Sequence, residues 1–152
     1  MSVQLVVFTL GEQEYGIDVS AVNGILRAKK FKIQAIPGTA KVIEGMINLR
    51  GQVNYIFNLR TKFGLPKLEM SDESKFIMLN SSHSTIGCIV DEVTDIIKLD
   101  DDDVQETPGF VNGVNANYII GIGKIDERMI IILDAEKILS VEEYASLDSV
   151  AG

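Results

Sequence analysis

The chain has 152 residues, a formal net charge of -8 and one cysteine. That length suits a single domain with a sizeable core, since 46% of residues are hydrophobic. A lone thiol excludes an intrachain disulfide or a CxxC metal pair and fits a reducing cytosol, and the acidic balance opposes non-specific adhesion to DNA or anionic membranes.

Val3–Leu10 reads as a strand, and Gly11-Glu-Gln-Glu14 as a polar turn into a second strand over Tyr15–Val19, which predicts an opening hairpin. Asp18 or Ser20 could cap a short helix over Ala21–Leu26, where Val22, Ile25 and Leu26 share a face at i, i+3, i+4 spacing. Gly24 argues against that helix. Arg27–Lys32 holds four basic residues and reads as a solvated turn or edge. A short strand over Ile33–Ile36 stops at Pro37-Gly38, residues 39–45 form a connection, and strands follow over Met46–Leu49 and Val53–Leu59, joined across Arg50-Gly51-Gln52. Thr61–Phe63 is a helical turn closed by Gly64 and Pro66, and Glu69–Lys75 is a polar loop. Strands over Phe76–Asn80 and Thr85–Val90 flank a hairpin tip at Ser81-Ser-His-Ser84. Asp91–Leu99 alternates less cleanly, and Asp100–Asn117 is a loop with an acidic run. Tyr118–Ile125 and Arg128–Leu133 form a last hairpin across Asp126-Glu127. A helix begins at Ala135–Leu139 and continues over Ser140–Leu147, with Ser140-Val-Glu-Glu143 as a capping box.

Nine or ten short strands at this spacing indicate an all-β barrel or a pair of barrels. The composition agrees: 20 Ile and 14 Val against 12 Leu, with no Trp, favours pleated surfaces over helices. Charge is polarised, with +5 over residues 1–67 and -13 over residues 68–152. The N-terminal segment lacks a basic region before its apolar run, and no run reaches the roughly 18 apolar residues of a membrane span.

Catalytic and metal chemistry finds little footing. Ser81, Ser82 and Ser84 flank His83, but neighbours on a hairpin tip diverge and stay wet, whereas a Ser–His pair needs a base held against the hydroxyl and a third group orienting it. Asp100–Asp103 with Glu106 lacks the alternation and central Gly of a calcium loop. Gly121-Ile-Gly123 is too short for a phosphate loop and marks close backbone approach within a strand. No catalytic residue, cofactor site or metal site is expected. The most informative stretch runs from Glu44 to Arg60 and carries Asn-Leu-Arg twice, at 48–50 and 58–60. Arg50, bounded by Gly51, reads as a displayed cation for binding. Arg60 reads as a strand-end salt bridge.

These residues resemble the CheW family, the coupling proteins of bacterial chemotaxis. Val7-Phe-Thr-Leu-Gly-Glu-Gln-Glu-Tyr-Gly-Ile-Asp18 is similar to the family's opening hairpin, Ile43-Glu-Gly-Met-Ile-Asn-Leu-Arg-Gly51 to its central signature, and Gly87–Val93 and Arg128–Asp134 to its later strands. The chain departs from the pattern at Tyr55, where the family usually has Pro, at Asn58, often Asp, and at Gly24 and Gly109, which replace acidic residues. The resemblance implies a mainly β fold: two five-stranded SH3-like β-barrels packed around a shared core, with short helices and a C-terminal helix, making one domain of two interleaved subdomains over residues 1–152.

The same resemblance implies a non-enzymatic cytoplasmic adaptor, monomeric when free. Its partners would be the cytoplasmic tip of chemoreceptors (methyl-accepting chemotaxis proteins) and the regulatory domain of the histidine kinase CheA, in membrane-associated arrays; a paralogue serving another chemosensory or motility pathway is the alternative. Carried over by position, the receptor contact involves Val22, Ile25, Arg50 and Gly51, and the kinase contact Gly45 and Phe110. Gly45 also suits a backbone that requires glycine, and Phe110 could equally fold inward as core.

Overall fold

The computed structural model describes residues 2–80, 86–106 and 118–151. Ser2–Leu10 (β1) and Gln13–Asp18 (β2) make the expected hairpin. The next segment differs from expectation. Val19–Ala21 is a 3-10 turn and Val22–Arg27 is a strand (β3), where the periodicity suggested a helix. Asp18 does cap the turn, accepting from Ser20 N at 2.9 Å and Ser20 Oγ at 2.8 Å. Two β-branched residues around Gly24 make a poor helix, and pairing with Lys75–Leu79 (β6) supplies the backbone partners a strand needs.

Ile43–Leu49 (β4) and Gln52–Asn58 (β5) form the central hairpin. Within Ile33–Ile36 only Gln34 pairs, through an isolated antiparallel bridge to Met46. β4 starts three residues earlier than the sequence suggested because Gly45 sits at a register shift that lets the strand continue through it. Asn58 Oδ1 accepts from Thr61 N at 3.3 Å and starts the one-turn helix Leu59–Lys62 (α1). Ile86–Val90 (β7) pairs with β6, as the expected hairpin requires. Glu92–Asp100 (β8) alternates inward and outward along most of its length. Val104–Glu106 (β9), placed in a loop from the sequence, is a short strand on Ile119–Ile125 (β10), which pairs with Arg128–Leu133 (β11). The final helix, Val141–Ala151 (α2), begins after residues 135–139 and does not include them. Its capping box is present: Ser140 N donates to Glu143 Oε1 at 2.8 Å, and Glu143 N donates to Ser140 Oγ at 3.1 Å.

The strands form two sheets, one of order β8-β1-β2-β11-β10-β9 and one of order β3-β6-β7-β5-β4. β9 brings the first to six strands, one more than the resemblance implied. In the first, both edge strands feed one cluster, Leu99 and Ile97 from β8 meeting Val104 from β9 around Leu5, Val7, Ile130 and Ile132. In the second, Leu26 from β3 and Ile47 from β4 join Ile56, Phe76 and Met78. Each sheet therefore curls around its own core. A third and larger cluster draws Val6, Phe8 and Ile17 from the first sheet and Phe57, Ile77, Ile86 and Val90 from the second, with Tyr144 and Leu147 of α2. Each of its fully buried large side chains contributes about 1.5–3 kcal/mol of burial free energy.

Cys88 lies in this shared core, fully enclosed, and burial pushes its thiol up to about 12. The thiolate is the reactive form. Native protein at neutral pH should leave Cys88 unmodified by a thiol reagent such as Ellman's reagent, with complete reaction after denaturation. Rapid stoichiometric reaction of the native protein would contradict this burial.

Candidate interaction site

The two Asn-Leu-Arg repeats adopt different structures. In the first, Arg50 and Gly51 are the central residues of the β4–β5 turn, both at positive φ (54° and 83°). A turn with two positive φ values matches the right-handed twist of a hairpin, but it strains any residue other than Gly or Asn. Asn48 Oδ1 accepts from Gly51 N at 2.9 Å and fixes the turn. Arg50 is exposed and makes no hydrogen bond or ion pair with any described residue. In the second repeat, Asn58 caps α1, and Arg60 points inward to a bidentate pair with Asp91: Nε to Oδ1 at 2.9 Å and Nη2 to Oδ2 at 2.5 Å. Arg60 Nη1 also donates to the Pro66 carbonyl at 3.0 Å, and Asp91 Oδ2 accepts from Gly11 N at 2.7 Å. The hydrogen bond between them holds the Asp91 carboxyl below its ordinary range and raises the Arg60 guanidinium. The same tripeptide thus serves once as an exposed cation, without a partner among the described residues, and once as a structural clamp.

Beside the Arg50–Gly51 turn lies a groove of about 430 Å³, lined by Lys32, Gln34, Met46, Asn48, Gly51 and Val53 among others. Val53 is 53% exposed. On β3, the residues carried over for receptor contact face opposite ways. Val22 packs against the shared core, while Ile25 is 40% exposed. Neither lines the groove beside Gly51. Arg50 and Gly51 are brought together, and Ile25 offers a separate apolar point on β3.

Gly45 is buried in β4 at φ 152°, and a Cβ there would run into the Gln34 carbonyl. Gln34 and Met46 exchange two backbone hydrogen bonds of 2.8 and 2.9 Å across this contact. Glycine is required here by the backbone. Phe110, Gly109 and the Ser81–Ser84 tip with His83 lie outside the described residues. Of the other sequence candidates, Asp103 Oδ2 accepts from Asp100 N at 2.9 Å within a 3-10 turn. Gly121 and Gly123 lie against the Gln105 carbonyl and Leu99, the close approach expected of them. Among the described residues no group of three or more metal-ligating side chains converges.

A family model described as the CheW-like domain matches residues 4–143. The chain belongs to the CheW-like family. It is 36% identical to chemotaxis protein CheW of Klebsiella aerogenes, over 97% of this chain and 88% of that protein. The corresponding protein of Treponema pallidum is also 36% identical, over 95% and 86%. The crystal structure of scaffolding protein TtCheW from Thermoanaerobacter tengcongensis is 34% identical, with a TM-score of 0.83, and the likeness covers 94% of this chain and 96% of that one. CheW-like proteins are non-catalytic scaffolds and adaptors of chemotaxis, and the site is accordingly one of binding.

Two features of this CheW-like chain were not singled out from its sequence. The first is the groove beside Gly51, to which Lys32 and Gln34 come from a segment read as edge and strand. The second is the role of Asn48 in holding the Arg50 turn, for which the spacing Asn-x-x-Gly was the available signal.

Proposed function

We propose that this chain couples chemoreceptors to the histidine kinase CheA in chemotaxis signalling. The observation that carries the reading is Arg50: an exposed cation at the tip of a strained turn, paired with no described residue, in the central signature of a CheW-like chain. An αL residue other than Gly or Asn costs about 1–3 kcal/mol, a cost that makes sense where display of the side chain matters. Arg50 and Gly51 engage the receptor tip, and the guanidinium fixes register through a carboxylate or carbonyl. Ile25 adds an apolar contact, and Val22 supports it from the core side. On the kinase side, Phe110 contributes an aromatic contact, and Gly45 acts by keeping β4 in place. The free protein is a cytoplasmic monomer recruited to membrane-associated receptor arrays, and no helix among the described residues is long and apolar enough to cross a membrane. Scaffolding of this kind works by effective concentration: two weak surfaces on one body hold partners together.

An NMR titration with a receptor-tip fragment, followed by the CheA regulatory domain, tests this reading. The receptor should shift resonances near Ile25 and Arg50, and the kinase domain should move a different surface. Arg50→Glu should weaken receptor binding tenfold or more with an unchanged spectrum elsewhere. Arg50→Gly should weaken it as well while stabilising the fold by up to about 1 kcal/mol, because glycine relieves the positive φ. Receptor affinity equal to wild type in both variants would remove Arg50 from the interface.

A further inference from the structure

β3 continues from Ile25 into a basic groove on the same edge of the second sheet. Asn23, Ile25 and Arg27 are its exposed residues, so Ile25 and Arg27 project from one face, two residues apart. Beyond them a groove of about 420 Å³ is lined by Arg27, Lys29, Lys30, Asp72, Glu73 and Lys75. Arg27 and Lys75 are direct cross-strand partners in the β3–β6 register. Like charges placed opposite one another destabilise a sheet, and Arg27 has no hydrogen-bonded or ion-paired partner among the described residues to offset it. Lys30 has none either. Lys29 Nζ lies 3.4 Å from Asp72 Oδ1, a pair whose side chains are 54% and 92% exposed. Asp72 and Glu73 reach the groove from a tight turn in which Ser71 N donates to Ser74 Oγ at 2.9 Å and Glu73 N donates to Ser71 Oγ at 3.1 Å. Backbone bonding from Ala28 N to the Ser74 carbonyl at 3.1 Å ties this turn to the residues after β3.

We infer that this groove is a docking surface for a carboxylate-bearing segment of the receptor tip, lying next to the residue that contacts Ile25. The inference rests on the receptor reading above and extends it to the partner's chemistry. Charge complementarity carries it. Four cations line the groove against two carboxylates, and one of those carboxylates, Asp72, already sits against Lys29 in a solvent-exposed pair that a partner's carboxylate can displace at small cost. Asp72 and Glu73 therefore act as weak internal competitors, and the groove discriminates in favour of receptor segments with acidic side chains.

Binding of a chemoreceptor-tip fragment, followed by fluorescence anisotropy at low and high salt, tests the inference on the full chain. The double substitution K29E/K30E should weaken binding at least tenfold and flatten its salt dependence, while D72N/E73Q should tighten it several-fold. Near-UV circular dichroism checks that both variants keep the fold. Wild-type binding that ignores both charge changes would overturn the inference and leave the receptor reading standing. Failure of the unaltered chain to bind any tip fragment would sink the receptor reading and this inference with it. Two other results would also overturn it, by assigning the groove to another occupant: concentration-dependent self-association lost in K29E/K30E, or binding of phosphatidylserine vesicles that depends on these lysines while receptor binding does not.

Discussion

Gly45→Ala should destabilise the protein by about 3–5 kcal/mol, a large part of the roughly 5–15 kcal/mol that holds a domain of this size. The cost has two sources. At φ 152° an L side chain is strained in itself. In addition, the new methyl would press into the Gln34 carbonyl and the Ile33 side chain, and that carbonyl has little room to yield, because it accepts from Met46 N while Gln34 N donates to the Met46 carbonyl. For a chain of this length, each kcal/mol lowers the melting temperature by about 2–4 °C, so a fall of roughly 6–20 °C is expected. Urea titration with intrinsic tyrosine fluorescence measures it; an unchanged midpoint would show that β4 can shift away from Gln34. If the loss is as large as expected, any failure of Gly45 variants to support kinase coupling reflects the collapse of β4 before any missing contact.

The second large effect is expected at Asp91. Asp91→Ala removes both carboxylate acceptors from Arg60 and the partner of Gly11 N, leaving a cationic side chain only 13% exposed without its counter-charge. Removing one member of a partly enclosed ion pair costs more than the pair itself contributes, because the remaining charge keeps its desolvation penalty. A loss of about 2–3 kcal/mol follows, and Asp91→Ala with Arg60→Met should recover part of it, a recovery that a double-mutant cycle can quantify. Stability should also depend on pH in a defined direction. The folded Asp91 carboxyl titrates below its ordinary 3.8, held down by its hydrogen bond to Arg60, and Asp95 behaves likewise beside Arg128. Between the lowered folded values and the ordinary one, the unfolded chain binds more protons than the folded one. The stabilisation is therefore full above about pH 5 and is lost as pH falls through the folded values. Denaturation midpoints between pH 6 and pH 2 should decline for wild type and decline less for Asp91→Ala. Parallel slopes would mean that other carboxyls dominate acid unfolding.

Much of the fold was legible because its strands are short apolar runs rich in β-branched residues that end at glycine-containing or acidic turns. The opening hairpin and the β10–β11 hairpin lie where those patterns place them. β3 was misread because Val22, Ile25 and Leu26 satisfy helical spacing by coincidence; only pairing with β6, about fifty residues on, decides between the two periods. β9 is three residues long and exists through its pairing with β10, so local sequence carries little trace of it. The start of β4 was hidden by Gly45, a strand glycine that reads locally as a break.

The candidate site was legible at Arg50, whose Gly neighbour announces a turn. The fate of Arg60 depended on Asp91, thirty-one residues further on, and its clamp could be anticipated only as a type of interaction. The basic run at Arg27–Lys32 read as solvated charge because nothing in the sequence brings Lys75, Asp72 and Glu73 to its side. Polar clusters assembled across strands escape one-dimensional reading, whereas apolar alternation within a strand does not.

The connectivity of the two sheets bears on how the chain is made. The second sheet uses β3 to β7 without interruption, whereas the first combines β1 and β2 with β8 to β11. One barrel is thus an insertion within the other. Leu5 must find Ile97, and Ile17 must find Leu133 across a parallel pairing. At synthesis rates of about 5–20 residues per second, the first hairpin is made roughly 4–16 s before its β8 neighbour is complete. By the end of that interval the inserted barrel has all its strands, since β7 ends at Val90 and β8 at Asp100, and it can begin to close first while the apolar faces of Leu5–Phe8 wait for β8. The nascent chain therefore passes through a stage in which its N-terminal hairpin is the sticky end, and that hairpin is where chaperone contact or misassembly is most consequential.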